Sequence, residues 1–427
     1  MRMATPLAFV FFMTPATSFA QSVSDVAAIR QELGELKAEQ TRTTARIAGL
    51  ENKLNGLEGA FPLSAPPQPL PPQAAAVNIV TSTVKSGAAQ PLDVEGDIRI
   101  RYESNFGDRD ARNRSRFALR ARLRGSYAVT DWLTAGGQLT TGDPDDPNSS
   151  DVTLSNFDDD LNVSLDQAWL RAQFGNLQVS GGKIPLPFKR TDMVWDGDVY
   201  PEGLALAYET KIAASSSAKA AGLYFVIDEA AGGEDSRMIG GQIGVETKLR
   251  DAIMLEASVG YYDYRLSSVA GGDSGDFRTN RFVNGQYLSD FNLLDVIASA
   301  TWTGPSKKWP LRIIGNYVHN FGATTPSDSG YSIGLTAGRI TEKGDWRFGL
   351  GYAQTGIDAV FAAFSEDNTT LASNYVQHNF SVDYVLRPHL ILNGTFYHYK
   401  AKSTIDAGSN DPSDWLNRLR INLLAEF

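Results

Sequence analysis

The chain has 427 residues, no cysteine, and a formal net charge of -10, with 42% hydrophobic and 21% charged residues. Without cysteine, disulfide frameworks, zinc–thiolate sites and cysteine nucleophiles are excluded, and the acidic balance argues against nucleic acid as a partner. The mean hydropathy of -0.24 resembles that of a soluble protein, but a membrane barrel, in which alternate residues face lipid, has a similar average.

Residues 1–20 read as a secretory signal peptide. Arg2 supplies the basic start, Leu7 to Met13 an apolar run, and Ser18 and Ala20 the small residues before cleavage. The apolar run is too short to cross about 30 Å of hydrocarbon. Residues 21–58 follow with apolar spacings of three and four: Val26, Ile29, Leu33, Leu36, Gln40, Thr43, Ile47, Leu50, Leu54 and Leu57. A period of 3.5 predicts a left-handed coiled coil. Its stripe is expected to be buried between chains, and the polar Gln40 and Thr43 are compatible with a homotrimer. A linker rich in proline and alanine (59–91) separates this segment from the rest.

From 92 to 427 the period changes to two. Ile98, Ile100 and Tyr102 alternate with Asp97, Arg99 and Arg101, and Phe117, Leu119 and Leu123 alternate with Arg120, Arg122 and Arg124. About sixteen such strands are expected, with connections that alternate short and long. Short turns opposite long loops predict an all-β antiparallel transmembrane barrel rather than a sandwich. The last strand sets Leu419, Ile421, Leu423, Ala425 and Phe427 against Arg418, Arg420 and Asn422.

An alternating last strand that finishes on Phe427 resembles the carboxyl-terminal assembly signal of outer-membrane barrels, which implies the barrel-assembly machinery as a partner. With this strand, the heptads and the alternation together, the whole mature chain resembles a trimeric porin of a Gram-negative outer membrane with a periplasmic coiled coil. Ala168-Trp169-Leu170-Arg171 to Gly175, then Gly181-Gly182-Lys183 and Pro187-Phe188, are similar to strands of phosphate-selective porins. The resemblance implies a sixteen-stranded, water-filled barrel whose third long loop folds inward.

If the apolar faces meet lipid, Arg99, Arg101, Arg120, Arg122, Arg124, Arg418 and Arg420 line the lumen as one basic wall, because the first and last strands are neighbours when the barrel closes. Arg171 lies further round. The third loop carries Asp192, Asp196, Asp198 and Glu202, which would face this wall across a constriction and set up a transverse field. Simple pairing of the arginines with Asp97, Glu103 or Glu426 is the plain alternative. The aspartate-rich loop 142–160 reads as a solvated surface loop near lipopolysaccharide rather than a Ca²⁺ site, since it lacks complete EF-hand spacing. Trp132, Tyr261, Trp302, Trp309, Tyr317, Trp346 and Trp415 suit interfacial girdles. The expected function is passive diffusion of small hydrophilic solutes and ions, without cofactor, metal or catalysis. The alternatives are an anion- or phosphate-selective channel and an envelope tether whose coiled coil binds peptidoglycan.

Overall fold

The computed structural model describes Lys37 and residues 92–427, apart from 108–112, 144–145, 155–160, 251, 270–271, 273–276, 305 and 404–413. The expected signal peptide, coiled-coil seam and linker lie outside the described residues.

Sixteen antiparallel strands build the barrel. The first four are β1 (Leu92–Gly107), β2 (Arg114–Ala128), β3 (Leu133–Thr141) and β4 (Val163–Phe174). Next come β5 (Leu177–Lys183), β6 (Glu202–Ala213), β7 (Ser216–Asp228) and β8 (Ser236–Leu249). They are followed by β9 (Ile253–Arg265), β10 (Asn292–Trp302), β11 (Leu311–Asn320) and β12 (Ser329–Gly338). The last are β13 (Trp346–Thr355), β14 (Tyr375–Arg387), β15 (Leu390–Ala401) and β16 (Leu416–Glu426). Each pairs with its neighbour in sequence, and β1 also pairs with β16, from Asp97 opposite Glu426 to Gly107 opposite Leu416. The sheet therefore closes, which removes the unpaired edges that hydrocarbon does not tolerate.

The closure extends to the last residue. The Phe427 carbonyl accepts from the Gly96 amide at 2.7 Å, and the Phe427 amide donates to the Gly96 carbonyl at 3.0 Å. A Cβ at position 96 would lie 2.6 Å from the Phe427 ring, so glycine is what lets the terminal aromatic lie against β1.

All seven connections that follow even-numbered strands are short, and both barrel termini lie at that end. The eight at the other end are mostly longer, and three of them carry small elements. Val152–Thr153 pairs with β2, Phe282–Val283 pairs with Gln286–Tyr287, and Ala362–Phe364 forms a 3₁₀ turn. Trp132, Trp302, Trp309 and Trp346 are all exposed at the short-turn rim, the level where an amphipathic indole ring suits a headgroup interface. Trp415 stands at the opposite, long-loop rim, where it stacks on His398 with centroids 4.1 Å apart and lies under the Lys400 ammonium.

Period-two alternation sets the outer face. Ile98, Ile100, Leu123, Leu204, Leu206 and Leu350 are exposed, and Ile243 reaches 66%, while their sequence neighbours turn inward. The interior is not uniformly polar, however. Leu223 and Phe225 of β7, Met238 of β8, Tyr262 and Tyr264 of β9, Leu293 of β10 and Val318 of β11 are buried. They pack against Ile184, Phe188, Met193, Val194, Trp195 and Val199 of the β5–β6 loop and against Val360, Phe361 and Phe364 of the β13–β14 loop. A packed apolar core thus occupies the β7–β11 side, where the porin resemblance alone implied a water-filled interior.

Candidate functional site: a charged constriction inside the barrel

Strands β1, β2 and β16 interleave opposite charges across their pairing. Asp97 stands opposite Arg122, Glu95 opposite Arg124, and Glu103 opposite both Arg116 and Arg420. Cross-strand opposite charges attract, and like charges directly opposite repel. Arg99 and Arg120 form one such like-charged pair, compensated by Asp151 from outside the three strands and by Asp97 of β1.

Asp151, from the β3–β4 loop, accepts from Arg99 at 2.7 Å and also from Arg101. Burial raises its pKa, but Arg101 and Arg99 outweigh this and hold the carboxyl below its ordinary value. Asp97 takes Arg120 at 2.9 Å and Arg122 at 2.8 Å. Arg124 lies 3.4 Å from Glu95 and 3.6 Å from Asp97, and it also donates to Gln138. Glu103 receives Arg420 at 2.7 Å and Arg116 at 3.0 Å. Arg418 donates to Asn105 at 2.7 Å. Eight guanidinium groups (residues 99, 101, 116, 120, 122, 124, 418 and 420) here meet five carboxylates (residues 95, 97, 103, 151 and 198). Among the described residues the cluster carries an excess of positive charge.

The β5–β6 loop, residues 184–201, crosses the interior. Asp198 accepts from Arg122 of β2 at 2.9 Å, Lys189 donates its amide to Gln242 of β8 at 2.7 Å, and Thr191 bonds Asn316 of β11. These strands lie on opposite sides of the ring, so a segment that touches all three must span the lumen. Trp195 anchors the crossing. It has no exposed surface, lies edge-on to Tyr262 with centroids 5.5 Å apart, and stacks on Phe364 at 5.9 Å.

The β13–β14 loop, residues 356–374, is a second inward loop that sequence reasoning placed outside. The Asp196 amide donates to the Phe364 carbonyl at 2.8 Å, and Asn148 of the β3–β4 loop donates to the Ser365 carbonyl at 2.8 Å. Arg418 donates to the Asn368 carbonyl at 2.9 Å, and Arg420 to its side-chain oxygen at 3.1 Å. The signal in the sequence was Val360-Phe361-Ala362-Ala363-Phe364, an apolar run with no reason to sit in a solvated loop.

The four acids expected to face the arginines separate. Asp198 does meet them. Asp196 is buried and accepts from the Asp198 amide at 2.8 Å; burial, then the charges of Asp367 and Asp192, push its carboxyl up to about 8. Asp192 bonds Arg190 of its own loop at 3.2 Å and Asn368 at 3.3 Å. Glu202 is the first residue of β6 and pairs with Lys183 at 2.8 Å, so it does not face the basic wall. Arg171 stands apart from the other arginines and stacks on Trp169 with Cζ 4.4 Å from the ring centroid. The β3–β4 loop also departs from its reading as a solvated surface, because Asp151 and Asn148 are buried on interior partners. Glu366 of the second inward loop was missed; burial, then the charge of Asp192, raises its carboxyl to about 7.

Two open spaces flank the crossing. A cavity of about 450 Å³ on the long-loop side is lined by Asp143, Asp146, Asp166, Phe225, Phe361 and Tyr200, and one of about 380 Å³ on the short-turn side by Glu95, Arg124, Arg171 and again Tyr200. Tyr200 borders both, beside Asp198 and its arginines.

A family model described as "Putative porin" matches residues 108–284. OprB of Pseudomonas putida, solved at high pH, has the same fold with a TM-score of 0.54 at 14% identity, over 79% of this chain and 94% of that one. OmpF of Salmonella typhi in complex with daunomycin scores 0.49 at 11% identity, over 79% and 97% of the two chains. OmpT of Vibrio cholerae in trimer form scores 0.46 at 12%, over 78% and 100%. No curated protein matches. The likeness to a porin read from the alternating strands is thus met by the family match and by the closed sixteen-stranded barrel, the fold of an outer-membrane porin.

Proposed function

We propose that the protein is an outer-membrane porin that lets small hydrophilic solutes and ions diffuse passively through a charged constriction beside Tyr200, between Asp198 of the inward loop and the arginines of β1, β2 and β16. The observation that carries this reading is the ion pair from Arg122 to Asp198 at 2.9 Å, which holds a loop carboxylate against a wall that remains positive overall. Opposed charges in a narrow passage orient polar solutes and disfavour apolar ones. In this reading the short-turn end faces the periplasm. Residues 21–58 form the coiled coil of a homotrimer there, linked by 59–91 to the barrel, with peptidoglycan as a partner that a tether would hold.

The arginine excess favours one second reading, an anion-selective channel. Reversal potentials under a salt gradient in planar bilayers separate the two. Replacing Arg120, Arg122 and Arg124 with glutamine leaves five guanidinium groups beside five carboxylates and is expected to abolish most anion preference. Unchanged ion selectivity in that triple variant would rule out the arginine wall as the selecting element, and absence of any conductance from the wild-type protein would rule out the pore.

A further inference from the structure

Arg171 has a setting unlike that of the other arginines. Its cross-strand partner on β5 is Ser180, whose partner on β6 is Ala205; one step toward the short-turn end, Gln178 faces Ala207. The small side chains of β6 leave a shallow floor. The loop segment 185–188 returns over this stretch of wall and encloses a cavity of about 200 Å³, with Lys219 of β7 on its border.

Two features of this cavity call for a ligand. Arg171 and Lys219 form no ion pair among the described residues, and the small space they both border has no carboxylate in its lining. Glu209 is the cross-strand neighbour of Lys219 but makes no bridge to it and does not line the cavity. Independently, Ser180 is only 5% exposed and its Oγ has no hydrogen-bond partner, and the Nε of Arg171 is likewise buried and unpartnered. A buried donor left unsatisfied is unfavourable, and here two of them belong to a directly paired Arg–Ser couple. The guanidinium is also held in place. It stacks on Trp169, and Gly136 opposite Trp169 admits the indole, since a Cβ there would come within 2.2 Å of the ring.

We propose that this cavity binds the carboxylate of a small solute with a short apolar tail. A planar guanidinium matches the two oxygens of a carboxylate; the Ser180 hydroxyl adds a donor and Lys219 a second positive charge. Gln178 contributes one neutral amide, and the rest of the lining is aliphatic, aromatic or proline, with Leu186 and Phe188 above and Ala205 and Ala207 below. The apolar part of that lining suits a hydrocarbon tail, which a phosphate or sulfate cannot supply. The site lies beside the short-turn cavity, which Arg171 also borders, so its occupant would sit next to the diffusion path. This deepens the porin reading and rests on it.

The test uses the full-length protein in planar bilayers, with butyrate and, separately, inorganic phosphate titrated against a constant chloride background. Butyrate is expected to reduce the chloride current saturably, with phosphate at least tenfold weaker. Arg171→Gln is expected to raise the half-blocking butyrate concentration about tenfold, the loss of one charged hydrogen-bonding partner; Ser180→Ala and Lys219→Gln are expected to raise it severalfold. Heat-dependent gel mobility verifies that each variant forms a barrel, and if Arg171→Gln does not, Lys219→Gln decides. Equal potency of butyrate and phosphate, or an unchanged half-blocking concentration in the folded variants, overturns the proposal while chloride conductance leaves the pore intact. If the wild-type protein conducts nothing, calorimetric titration of the detergent-solubilised protein with butyrate decides alone: saturable binding lost in Arg171→Gln supports the site, and no binding refutes it.

Discussion

Arg122 and Asp198 stand 76 positions apart in the chain, yet they share an ion pair of 2.9 Å that ties β2 to the loop crossing the lumen. Arg122 simultaneously holds Asp97 at 2.8 Å, so one guanidinium joins the wall to the loop. Removing the loop carboxylate both frees a positive charge and loosens the crossing. Asp198→Asn is therefore expected to increase anion preference and single-channel conductance together, and Arg122→Gln to decrease anion preference. Reversal potentials that move the same way in both variants would refute this assignment.

The pH response follows from two buried loop carboxyls. Asp196 is raised from 3.8 to about 8 and Glu366 from 4.5 to about 7. A group whose folded-state pKa lies above its unfolded value retains its proton in the folded state. The stability it contributes is fully present below the unfolded pKa and is lost as pH rises through the folded one. The two inward loops are thus expected to dock most firmly below about pH 4 and to loosen progressively as pH rises to about 8, across the span from the ordinary to the raised values. Protease sensitivity of the loops should rise over that window, and Asp196→Asn should flatten the rise.

Trp195 is the apolar lock of the crossing, enclosed by Tyr262, Tyr264 and Phe364. Truncating a fully buried tryptophan costs about 3–5 kcal/mol. Because the barrel ladder does not depend on this ring, Trp195→Ala is expected to leave strand content intact and to produce larger, noisier single-channel currents. Circular dichroism and bilayer recordings check the two halves separately.

The outward face makes a separate demand. Ile243 is 66% exposed on β8, and an arginine on the lipid face near mid-bilayer costs about 2–4 kcal/mol. Ile243→Arg should lower folding yield in lipid vesicles, whereas its inward neighbour Gln242 should tolerate a change to Asn in the same assay. Equal yields would mean that this face does not meet hydrocarbon.

Local pattern carried much of this architecture. The alternation of Ile98, Ile100 and Tyr102 with Asp97, Arg99 and Arg101 gives strand, facing and closure in one reading, because side chains of a pleated strand alternate whatever else the chain does. The short turns were legible for the same reason. The inward turn of the β13–β14 loop was not read, although Val360-Phe361-Ala362-Ala363-Phe364 stood out as apolar among polar loops. Nor did alternation reveal that Leu223, Phe225, Tyr262 and Tyr264 face a packed core, since on those strands both faces are apolar or aromatic and the period loses its contrast.

Pairing across the lumen had a different origin. Any of Asp192, Asp196, Asp198 and Glu202 was a chemically sound partner for the arginines; only Asp198 reached them, because Trp195 and Phe364 fix the loop's register and β6 already begins at Glu202. The chain's own alternation and turn spacing determined the barrel, since those are properties of neighbouring residues. The partners of each charge, the half of the lumen that is filled, and the empty basic cavity beneath segment 185–188 were decided only by the tertiary structure, because long-range contacts depend on how loops close and pack, which no local period encodes.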